Sequence, residues 1–501
     1  MEKTVNNKAH KMLFFNTLAF TICFAAWMLN GVLVTFLVDN QVFKWGPIEI
    51  GWLLGIPVLA GSIFRLPAGI LTDKYGGRII FGGLLLFSAI PMYLLSYANS
   101  FFWFAIASFG FGLTGISFAI GIAYTSVWYP RNWQGRALGI FGAGNAGAAL
   151  TTLLAPSILK YLTNNGANLE NWRTLPVIYS AALVLMAIIF LIFTENKKPA
   201  SSNKTIKQLL QPLKDVRVWR FGLFYFLVFG CFVAFSQWLV PYFVNVYYLP
   251  LITAGIFASL FSFPSGVIRA LGGWMSDKFG ARKVMFIVLA SSVVISLMLT
   301  IPRMDIYSPG SGIMNKKAGT VTSVTDTLIV VNNIHYPVIK KTTKSEILDD
   351  QLLVLPTKAV WQEPVVKIGD RVEKKELLAK GITKIHFQAN VWIFAVLVIL
   401  IGSIWGIGKA GVYKLIPDHF PDEVGVVGGM VGVLGGLGGF FGPIIFGYLL
   451  ESTGLWTSCW MFMLILSAVC LVWLHLSTKK LMEAEVPEAL EHIDMKPKHH
   501  K

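Results

Sequence analysis

The chain contains the stretch FRLPAGILTDKYGGR at Phe64–Arg78, and IRALGGWMSDKFGAR repeats its pattern at Ile268–Arg282. The shared positions are an early arginine, a glycine, an Asp-Lys pair and a final Gly-x-Arg. Each stretch ends an apolar run that is long enough to cross a bilayer. One copy of such a pattern in each half of the chain predicts two related, membrane-embedded halves.

The early arginines of the repeat, Arg65 and Arg269, are the first candidate site residues. Eight residues of helix, about 12 Å, separate Arg65 from Asp73, which places both arginines near the middle of a ~30 Å hydrocarbon layer. A charge at that depth normally faces a bundle interior or a cavity. Two arginines from two symmetric helices therefore predict an anion-binding site. We interpret the later residues of each copy as conformational latches: Gly69, Asp73, Lys74 and Arg78, and Gly273, Asp277, Lys278 and Arg282.

The composition is that of a polytopic membrane protein. Of 501 residues, 55% are hydrophobic and 14% are charged, and the mean hydropathy is +0.64. The net charge of +16 would suggest nucleic acid in a soluble protein. Here the basic residues crowd alternate loops, so we expect them on the cytoplasmic face, with both termini inside the cell and the protein in the inner membrane. The four cysteines fall in apolar spans without metal-ligand spacing, so no metal, disulfide or cofactor is expected.

Apolar runs of about 20 residues predict an all-α membrane fold of twelve spans in two six-helix halves. The first half takes 1–194, a basic cytoplasmic linker takes 195–218, and the second half takes 219–301 and 390–477. A cytoplasmic tail takes 478–501. The predicted spans are Met12–Val38, Pro47–Thr72, Arg78–Tyr97, Phe101–Ala123, Arg136–Leu159, Leu175–Phe193, Trp219–Val246, Leu251–Ser276, Lys283–Ile301, Asn390–Leu415, Val424–Glu451 and Leu455–His475.

The segment 302–389, between the ninth and tenth spans, is too long for a hairpin loop. It follows an odd-numbered span, so we expect it on the periplasmic side. Alternating residues at Thr320-Val-Thr, Thr327-Leu-Ile-Val-Val and Leu352-Leu-Val-Leu, with a turn at Gly369-Asp370, predict β-structure. The run from Pro364 to Gly381 resembles the half-barrel repeat of biotinyl/lipoyl-like domains. We interpret the insert as an accessory β-module that could dock a periplasmic partner.

The loop pattern G-x-x-x-D-K-x-G-x-R resembles that of the major facilitator superfamily. Two glycine-rich helices, one per half, are similar to the signature helices of its nitrate/nitrite porter family. Their glycines include Gly142, Gly144 and Gly147 in the fifth span, and Gly435, Gly438 and Gly439 in the eleventh. Small residues permit close packing in any membrane bundle, but their combination with two arginines at matched depth favours this family. The resemblance implies an inner-membrane transporter of nitrate, nitrite or both that works by alternating access.

The resemblance also implies further substrate-binding residues. They are Phe24 in the first span, Phe118 in the fourth, Asn145 in the fifth, and Tyr225 and Phe229 in the seventh. Planar guanidinium groups suit a small planar oxyanion, since they offer paired hydrogen bonds that lysine cannot. Asn145 and Tyr225 would add polar contacts, and the phenylalanines would form a narrow apolar slot.

Lys409 in the tenth span departs from the residue that many members of this family carry. Gly402, Gly406, Lys409 and Tyr413 recur at helical spacing and share one face. Lys409 could extend to the cytoplasmic surface, or it could be a third cation beside the anion. A desolvated lysine, unlike an arginine, can release its proton. The second hypothesis therefore implies that the protein is a nitrate/proton symporter rather than a nitrate/nitrite antiporter.

Other functions remain open at this point. An exchanger of small organic anions such as formate or oxalate could also use one or two arginines. A transporter-like sensor would bind the anion without moving it. No Asp or Glu lies in the central part of a predicted span, which disfavours proton-coupled sugar and drug carriers. No nucleotide-binding loop is present in the sequence, so we expect a secondary transporter, monomeric and not an enzyme, with membrane lipid and an inorganic anion as its partners.

Overall fold

A computed structural model describes residues 7–198, 211–301, 304–341, 357–387, 390–420 and 424–485. The chain divides into two compact units, one formed by 1–300 with 395–501 and the other by 301–394. The first unit is a bundle of membrane-length helices. The second is built from β-strands. Of the predicted strands, Leu352-Leu-Val-Leu lies outside the described residues.

Within the described residues, eleven continuous helices are long and apolar enough to cross a membrane, and one bent pair supplies the twelfth span. We number the spans α1 to α12. They are Asn7–Asp39, Pro47–Thr72, Gly77–Tyr97, Phe101–Trp128, Arg136–Leu162, Leu169–Phe193, Val216–Tyr247, Leu251–Val267 with Arg269–Phe279, Ala281–Leu299, Val391–Ile416, Val427–Thr453 and Ser458–Lys479. The spans alternate in direction, so the α2–α3 and α8–α9 loops share one end of the bundle, the motif end. The α1–α2, α7–α8 and α11–α12 loops share the far end.

Six of the described spans lose regular helical geometry midway. Two of the breaks, at Met28 in α1 and at Leu113–Ile116 in α4, hold no predicted site residue. The other four carry or adjoin one. A break at Phe64 lets α2 restart at Arg65, and a break at Ile268 with a bend of 41° lets α8 restart at Arg269. In α5 a 3₁₀ turn covers Ala143–Ala146, and in α7 a π-helical turn covers Phe226–Cys231. Such turns mark functional positions in many helices because they redirect side chains and backbone groups.

Glycines hold the two halves together at the far end. A β-carbon on Gly51 of α2 would lie 3.1 Å from Ile444 Cα of α11, and one on Gly31 of α1 would lie 2.8 Å from Gln237 Cα of α7. Without side chains at these positions the backbones approach closely, as small residues allow in membrane bundles. The far end of the bundle is therefore closed.

Two side-chain amides reinforce this closure around Pro57 of α2. Proline has no N–H, so the Leu53 carbonyl lacks its usual helical partner. Asn30 Nδ2 donates to that carbonyl at 2.7 Å, and Gln237 Nε2, from the other half, donates to the Leu54 carbonyl at 3.1 Å. The Gln237 bond joins the two halves directly.

The motif end is more open than the far end. A β-carbon built on Gly69 or Gly273 would meet no other atom within 4 Å. Arg65 is only 4% exposed, whereas Arg269 is half-buried. The centre of the bundle is therefore sealed from the far end and more accessible from the motif end.

The β-unit has two antiparallel sheets. One has the strand order β1-β7-β5 and the other β4-β3-β2-β6. The strands are β1 Met304–Met314, β2 Gly319–Val324, β3 Leu328–Val331, β4 Ile334–Pro337, β5 Thr357–Pro364, β6 Arg371–Val372 and β7 Leu377–Phe387. The predicted strands at 320–322 and 327–331 correspond to β2 and β3, and the predicted turn contains Gly369 at φ +95°.

The core of the β-unit is apolar with one polar centre. Its buried residues are Val321, Ile329, Val331, Tyr336, Val338, Val366, Val372, Leu378 and Ala379. Buried Asn315 donates to the Glu373 carbonyl at 2.9 Å and accepts a bond from the Tyr336 hydroxyl at 2.9 Å. The unit thus has a hydrophobic core and an internal hydrogen-bond network of its own.

Because the β-unit has its own core, we expect the helical bundle to fold without it. Replacing 302–389 with a short Gly/Ser linker should leave the purified protein monodisperse. Its thermal midpoint should shift by less than about 3 °C, the change that ~1 kcal/mol produces in domains of 150–250 residues. Circular dichroism at the helical band and size-exclusion chromatography measure both. A larger loss of stability would mean that the bundle depends on the insert.

Candidate functional site

Arg65 and Arg269 both lie close to one aromatic ring. The guanidinium carbon of Arg65 is 5.8 Å from the centroid of the Phe118 ring, and that of Arg269 is 5.4 Å from it. Further rings border both cations: Trp27 and Phe229 lie at 5.8 and 5.3 Å from Arg65, and Tyr413 lies at 5.5 Å from Arg269. Cation–π attraction stabilises both charges away from water.

The polar atoms of the predicted site have few partners inside the protein. Arg65 Nη1 donates to the Gly432 carbonyl at 2.7 Å, but Arg65 Nε and Nη2 and Arg269 Nη1 have no partner. The same holds for Asn145 Nδ2 and Oδ1, although Asn145 is fully buried. The fully buried Tyr225 hydroxyl lies beside Tyr413 and Arg269. A buried polar group without a partner costs about 1–3 kcal/mol, and more when it is charged. These groups are therefore available to a small polar ligand from outside the protein.

The predicted aromatic residues line up beside these donors. Tyr225 and Phe229 stack with centroids 4.9 Å apart, and Phe118 stacks with Phe229 at 6.2 Å. Phe24 contacts Trp27, the ring over Arg65, at 5.3 Å. The structure thus brings Phe118 and Phe229 to the cations directly and places Phe24 one ring further away.

Lys409 is fully buried and does not reach the surface. Its Nζ donates to Ser265 Oγ at 3.0 Å and lies 3.1 Å from the centroid of the Phe232 ring. Ser265 precedes Arg269 by one turn of α8, so Lys409 lies on the far-end side of that arginine. Gly406 permits this contact, because a β-carbon there would lie 2.7 Å from the Ser265 carbonyl.

The predicted glycines of α5 provide close packing against α1 and the site. A β-carbon on Gly147 would lie 2.8 Å from the Ala25 nitrogen, and one on Gly144 would collide with the Phe20 ring. Gly142 differs, because a β-carbon there would make ordinary contact, 3.5 Å, with the Arg269 side chain. The α5 glycines therefore let α1 pack closely against α5 and leave room for the Arg269 side chain.

The predicted glycines of α11 pack against α7 in the same way. A β-carbon on Gly435 would collide with the Tyr225 ring, and one on Gly438 would lie 2.6 Å from the Phe226 carbonyl. Gly439 fits between Val233 and Val58, at 2.8 and 2.9 Å. These contacts hold the π-helical turn of α7 against α11.

The loop motifs contact helix ends rather than the site. Asp277 forms an ion pair with Lys414 of α10 at 2.8 Å, and Arg78 Nε donates to the Leu191 carbonyl of α6 at 3.1 Å. Lys74 lies over the Tyr75 ring and Lys278 over the Trp274 ring. Arg282 is half-buried, and the Asp73 side chain lies outside the described atoms. Each described contact joins helices of one half only.

Three site features were absent from the prediction. The Gly432 carbonyl binds Arg65, Gly436 lies against the same arginine, and the Tyr413 ring lies between Arg269 and Tyr225. The sequence offered an indication of Tyr413, since it shares a helix face with Lys409. It offered none of the Gly432 carbonyl, because every residue type has a backbone carbonyl.

The fold and this site define a class: a polytopic bundle of two six-helix halves with buried cations between them, as in secondary transporters. Residues 16–328 and 377–498 match the Major Facilitator Superfamily. The chain belongs to this family.

Several relatives are named as transport proteins. The chain is 36% identical over 491 residues to the probable nitrate/nitrite antiporter NarK1 of Thermus thermophilus, covering 97% of this chain and 95% of that protein. It is 30% identical to the nitrite extrusion protein of Bacillus subtilis over 61% of this chain and 75% of that one. It is 27% identical to the probable nitrate transporter NarT of Staphylococcus carnosus over 94% and 97%.

Solved structures agree on the fold. A bacterial homolog of the human lysosomal transporter Spinster, in an inward-facing and occupied conformation, superposes with a TM-score of 0.64 at 12% identity. The match covers 95% of this chain and 98% of that one. The nucleoside transporter NupG gives a TM-score of 0.59 at 12% identity, over 94% and 99%.

The Gly436 contact gives a test of the site with a control on the same helix. A β-carbon on Gly436 would lie 3.1 Å from Arg65 Nη1 and would collide with Ser62 Oγ, whereas one on Gly429 meets nothing within 4 Å. We expect Gly436→Ala to displace Arg65 and to lower nitrate uptake into proteoliposomes about tenfold or more, the loss of one charged hydrogen bond. Gly429→Ala should change uptake less than about twofold. Equal effects of the two substitutions on nitrate uptake would show that Gly436 does not contribute to the anion site.

Proposed function

We propose that this protein transports nitrate, nitrite or both across the bacterial inner membrane by alternating access. The observation that carries the proposal is the set of unpartnered buried donors on Arg65, Arg269 and Asn145, which lie with Tyr225 beside the Phe118 and Phe229 rings. A small, flat oxyanion offers acceptors in one plane to the guanidinium N–H groups, while the rings exclude water. The printed functions of the relatives support the same class of substrate.

Arg65 links the anion to the movement of the halves. It belongs to the first half, yet its Nη1 donates to Gly432 of α11 in the second half. An anion that binds the free Nε and Nη2 of Arg65 shares the guanidinium with the Gly432 carbonyl, which is held by Nη1. Binding therefore changes the contact between α2 and α11, the two helices that also seal the far end through Gly51. The two halves would then rock around the occupied site.

The molecule has a defined orientation in the membrane under this proposal. The basic motif loops face the cytoplasm, as do both termini, and the β-unit lies on the periplasmic side. In this orientation the closed far end is periplasmic, and the structure corresponds to an inward-facing state whose site is buried. The β-unit itself serves as an accessory module related to biotinyl/lipoyl-like half-barrels and available to a periplasmic partner. The carrier acts as a monomer.

The arginine pair provides the direct test of substrate binding. Arg→Lys at either position keeps the charge but loses the planar fork, so the anion would lose paired hydrogen bonds worth about 1.5–3 kcal/mol each. We expect nitrate uptake by Arg65→Lys and by Arg269→Lys to fall at least about tenfold in proteoliposomes. Arg217→Lys, outside the site, serves as the control. Normal uptake by the double variant would overturn the assignment.

The same vesicles distinguish the other functions. Labelled nitrate that exchanges for internal formate or oxalate faster than for nitrite would indicate an organic-anion exchanger. Saturable nitrate binding without uptake or counterflow would indicate a sensor. Nitrate counterflow against nitrate or nitrite, together with loss of transport in the arginine variants, supports the transporter.

Lys409 supports proton symport as the coupling mode. It is a buried amine one turn of α8 from Arg269, and its described hydrogen bond goes to a neutral hydroxyl, Ser265. Three cations around one monovalent anion repel each other in a medium of low dielectric. Lysine, unlike arginine, relieves this repulsion by releasing its proton. The amine would take up a proton together with the anion and release it on the opposite side.

We therefore expect Lys409→Gln to abolish the acceleration of nitrate uptake by an inward proton gradient. Nitrate counterflow, which needs no net proton movement, should remain measurable. Lys160→Gln serves as the control, because Lys160 is an exposed lysine of α5 outside the predicted site and the motif loops. Proton-driven uptake that is unchanged in Lys409→Gln would exclude Lys409 as the proton carrier.

A further inference from the structure

A row of buried serines begins at Lys409 and runs along α8 toward the far end of the bundle. Ser265 accepts the Lys409 hydrogen bond at 3.0 Å, and Ser262 and Ser259 follow toward the far end at intervals of three residues. Residues three apart on a helix are surface neighbours, with β-carbons about 5–6 Å apart. Ser265 and Ser262 are fully buried and Ser259 is 7% exposed, so the row lies inside the second half.

Helix α7 adds a further hydroxyl beside this row. Ser262 Oγ donates to Ser236 Oγ at 3.1 Å, and the Ala258 carbonyl is a second acceptor for the same proton, also at 3.1 Å. Ser236 Oγ donates to the Phe232 carbonyl at 2.8 Å, and the ring of Phe232 lies against Lys409. The Ser262 hydroxyl can therefore turn between two acceptors without losing a hydrogen bond.

Few groups can exchange a proton with Lys409. Within the described residues, Arg269 of α8 is the charged group that acts on it, and Tyr413 lies one turn away on its own helix, toward the motif end. From α7 it meets the Phe232 ring, and its described hydrogen bond goes to Ser265. Because arginine keeps its proton in proteins, Ser265 is the contact that can pass a proton between Lys409 and the far end.

The seal of the far end passes next to the row. Gln237 follows Ser236 on α7, and its Nε2 makes the 3.1 Å bond to the Leu54 carbonyl of the first half. The Gln237 Oε1 is buried without a partner. Separation of the two halves at the far end breaks the Gln237 bond, so the same movement brings water to α7 beside Ser236.

We propose that Ser236, Ser262 and Ser265 form the path by which a proton reaches Lys409 from the far end. This path rests on the proposed proton symport and supplies the route that symport needs. Each hydroxyl accepts a proton from one neighbour and passes its own proton to the next, directly or through one water molecule. The neutral Lys409 amine gains an N–H bond at the end of the path, and no serine keeps a charge.

The variants Ser262→Val and Ser262→Thr test the path, because both new side chains are β-branched and only that of threonine has a hydroxyl. In proteoliposomes with an internal pH dye, we expect proton-driven nitrate uptake and proton entry to be about fivefold lower in Ser262→Val than in Ser262→Thr, the size of one hydrogen bond. Nitrate counterflow, which needs no net proton movement, should be the same in both. Ser236→Ala, which removes the partner hydroxyl without adding volume, should act like Ser262→Val.

Ser180 of α6 provides the control, because it is a buried serine that donates to the Ala89 carbonyl outside the row. Ser180→Val and Ser180→Thr should not differ in proton-driven uptake.

The outcomes separate the path from the proposed function. Equal proton-driven uptake by Ser262→Val and Ser262→Thr, in vesicles where Lys409→Gln abolishes it, would overturn the path alone. Equal losses of counterflow and proton-driven uptake in Ser262→Val would show a packing role and would also overturn the path. A wild type that transports nitrate without proton drive would instead overturn the proposed symport, and the path with it.

Discussion

The desolvation of two arginines governs this structure. Arg65 and Arg269 carry their charges into the middle of an apolar bundle, and within the described residues neither forms an ion pair with a carboxylate. An uncompensated buried charge is strongly destabilising. The bundle offsets part of this with aromatic faces and one backbone carbonyl, which do not compete with a negative ligand in the way that a carboxylate would. The remaining donors stay available, and this makes the centre of the bundle attractive to anions.

The irregular helices follow from the same constraint. A helix break, a 3₁₀ turn or a π-helical turn redirects the side chains beside it. The breaks before Arg65 and Arg269, the 3₁₀ turn at Asn145 and the π-helical turn after Tyr225 direct these residues inward at one depth. The glycines of α5 and α11 let the neighbouring helices approach these turns closely enough to hold them.

The sequence predicted the parts of the protein that residue type determines. Hydropathy located the spans, and the repeated arginine predicted a pair of cations at matched depth, which in the structure both lie within 6 Å of the Phe118 ring. The family resemblance supplied Asn145 and Tyr225. The prediction missed the role of Gly432, because its contribution is a carbonyl whose position depends on how α11 packs against α2. It left Lys409 with two alternatives, since helical spacing shows which face a lysine occupies but not which way its side chain extends.

The two halves repeat in sequence, but their arginines have different surroundings. This difference affects how an anion can occupy the site. Arg65 is buried and bound across the interface to the second half, whereas Arg269 is half-buried and bordered by Tyr413 and Gly142. A strictly symmetric site would favour neither end of the bundle. Here the repeat fixes the depth of both cations, while the closed far end leaves Arg269 as the more accessible one. In the proposed mechanism, an anion that arrives from the motif end meets Arg269 first and then the free Nε and Nη2 of Arg65. Because Nη1 of the same guanidinium holds the Gly432 carbonyl, occupation of the site is coupled to the contact between the halves.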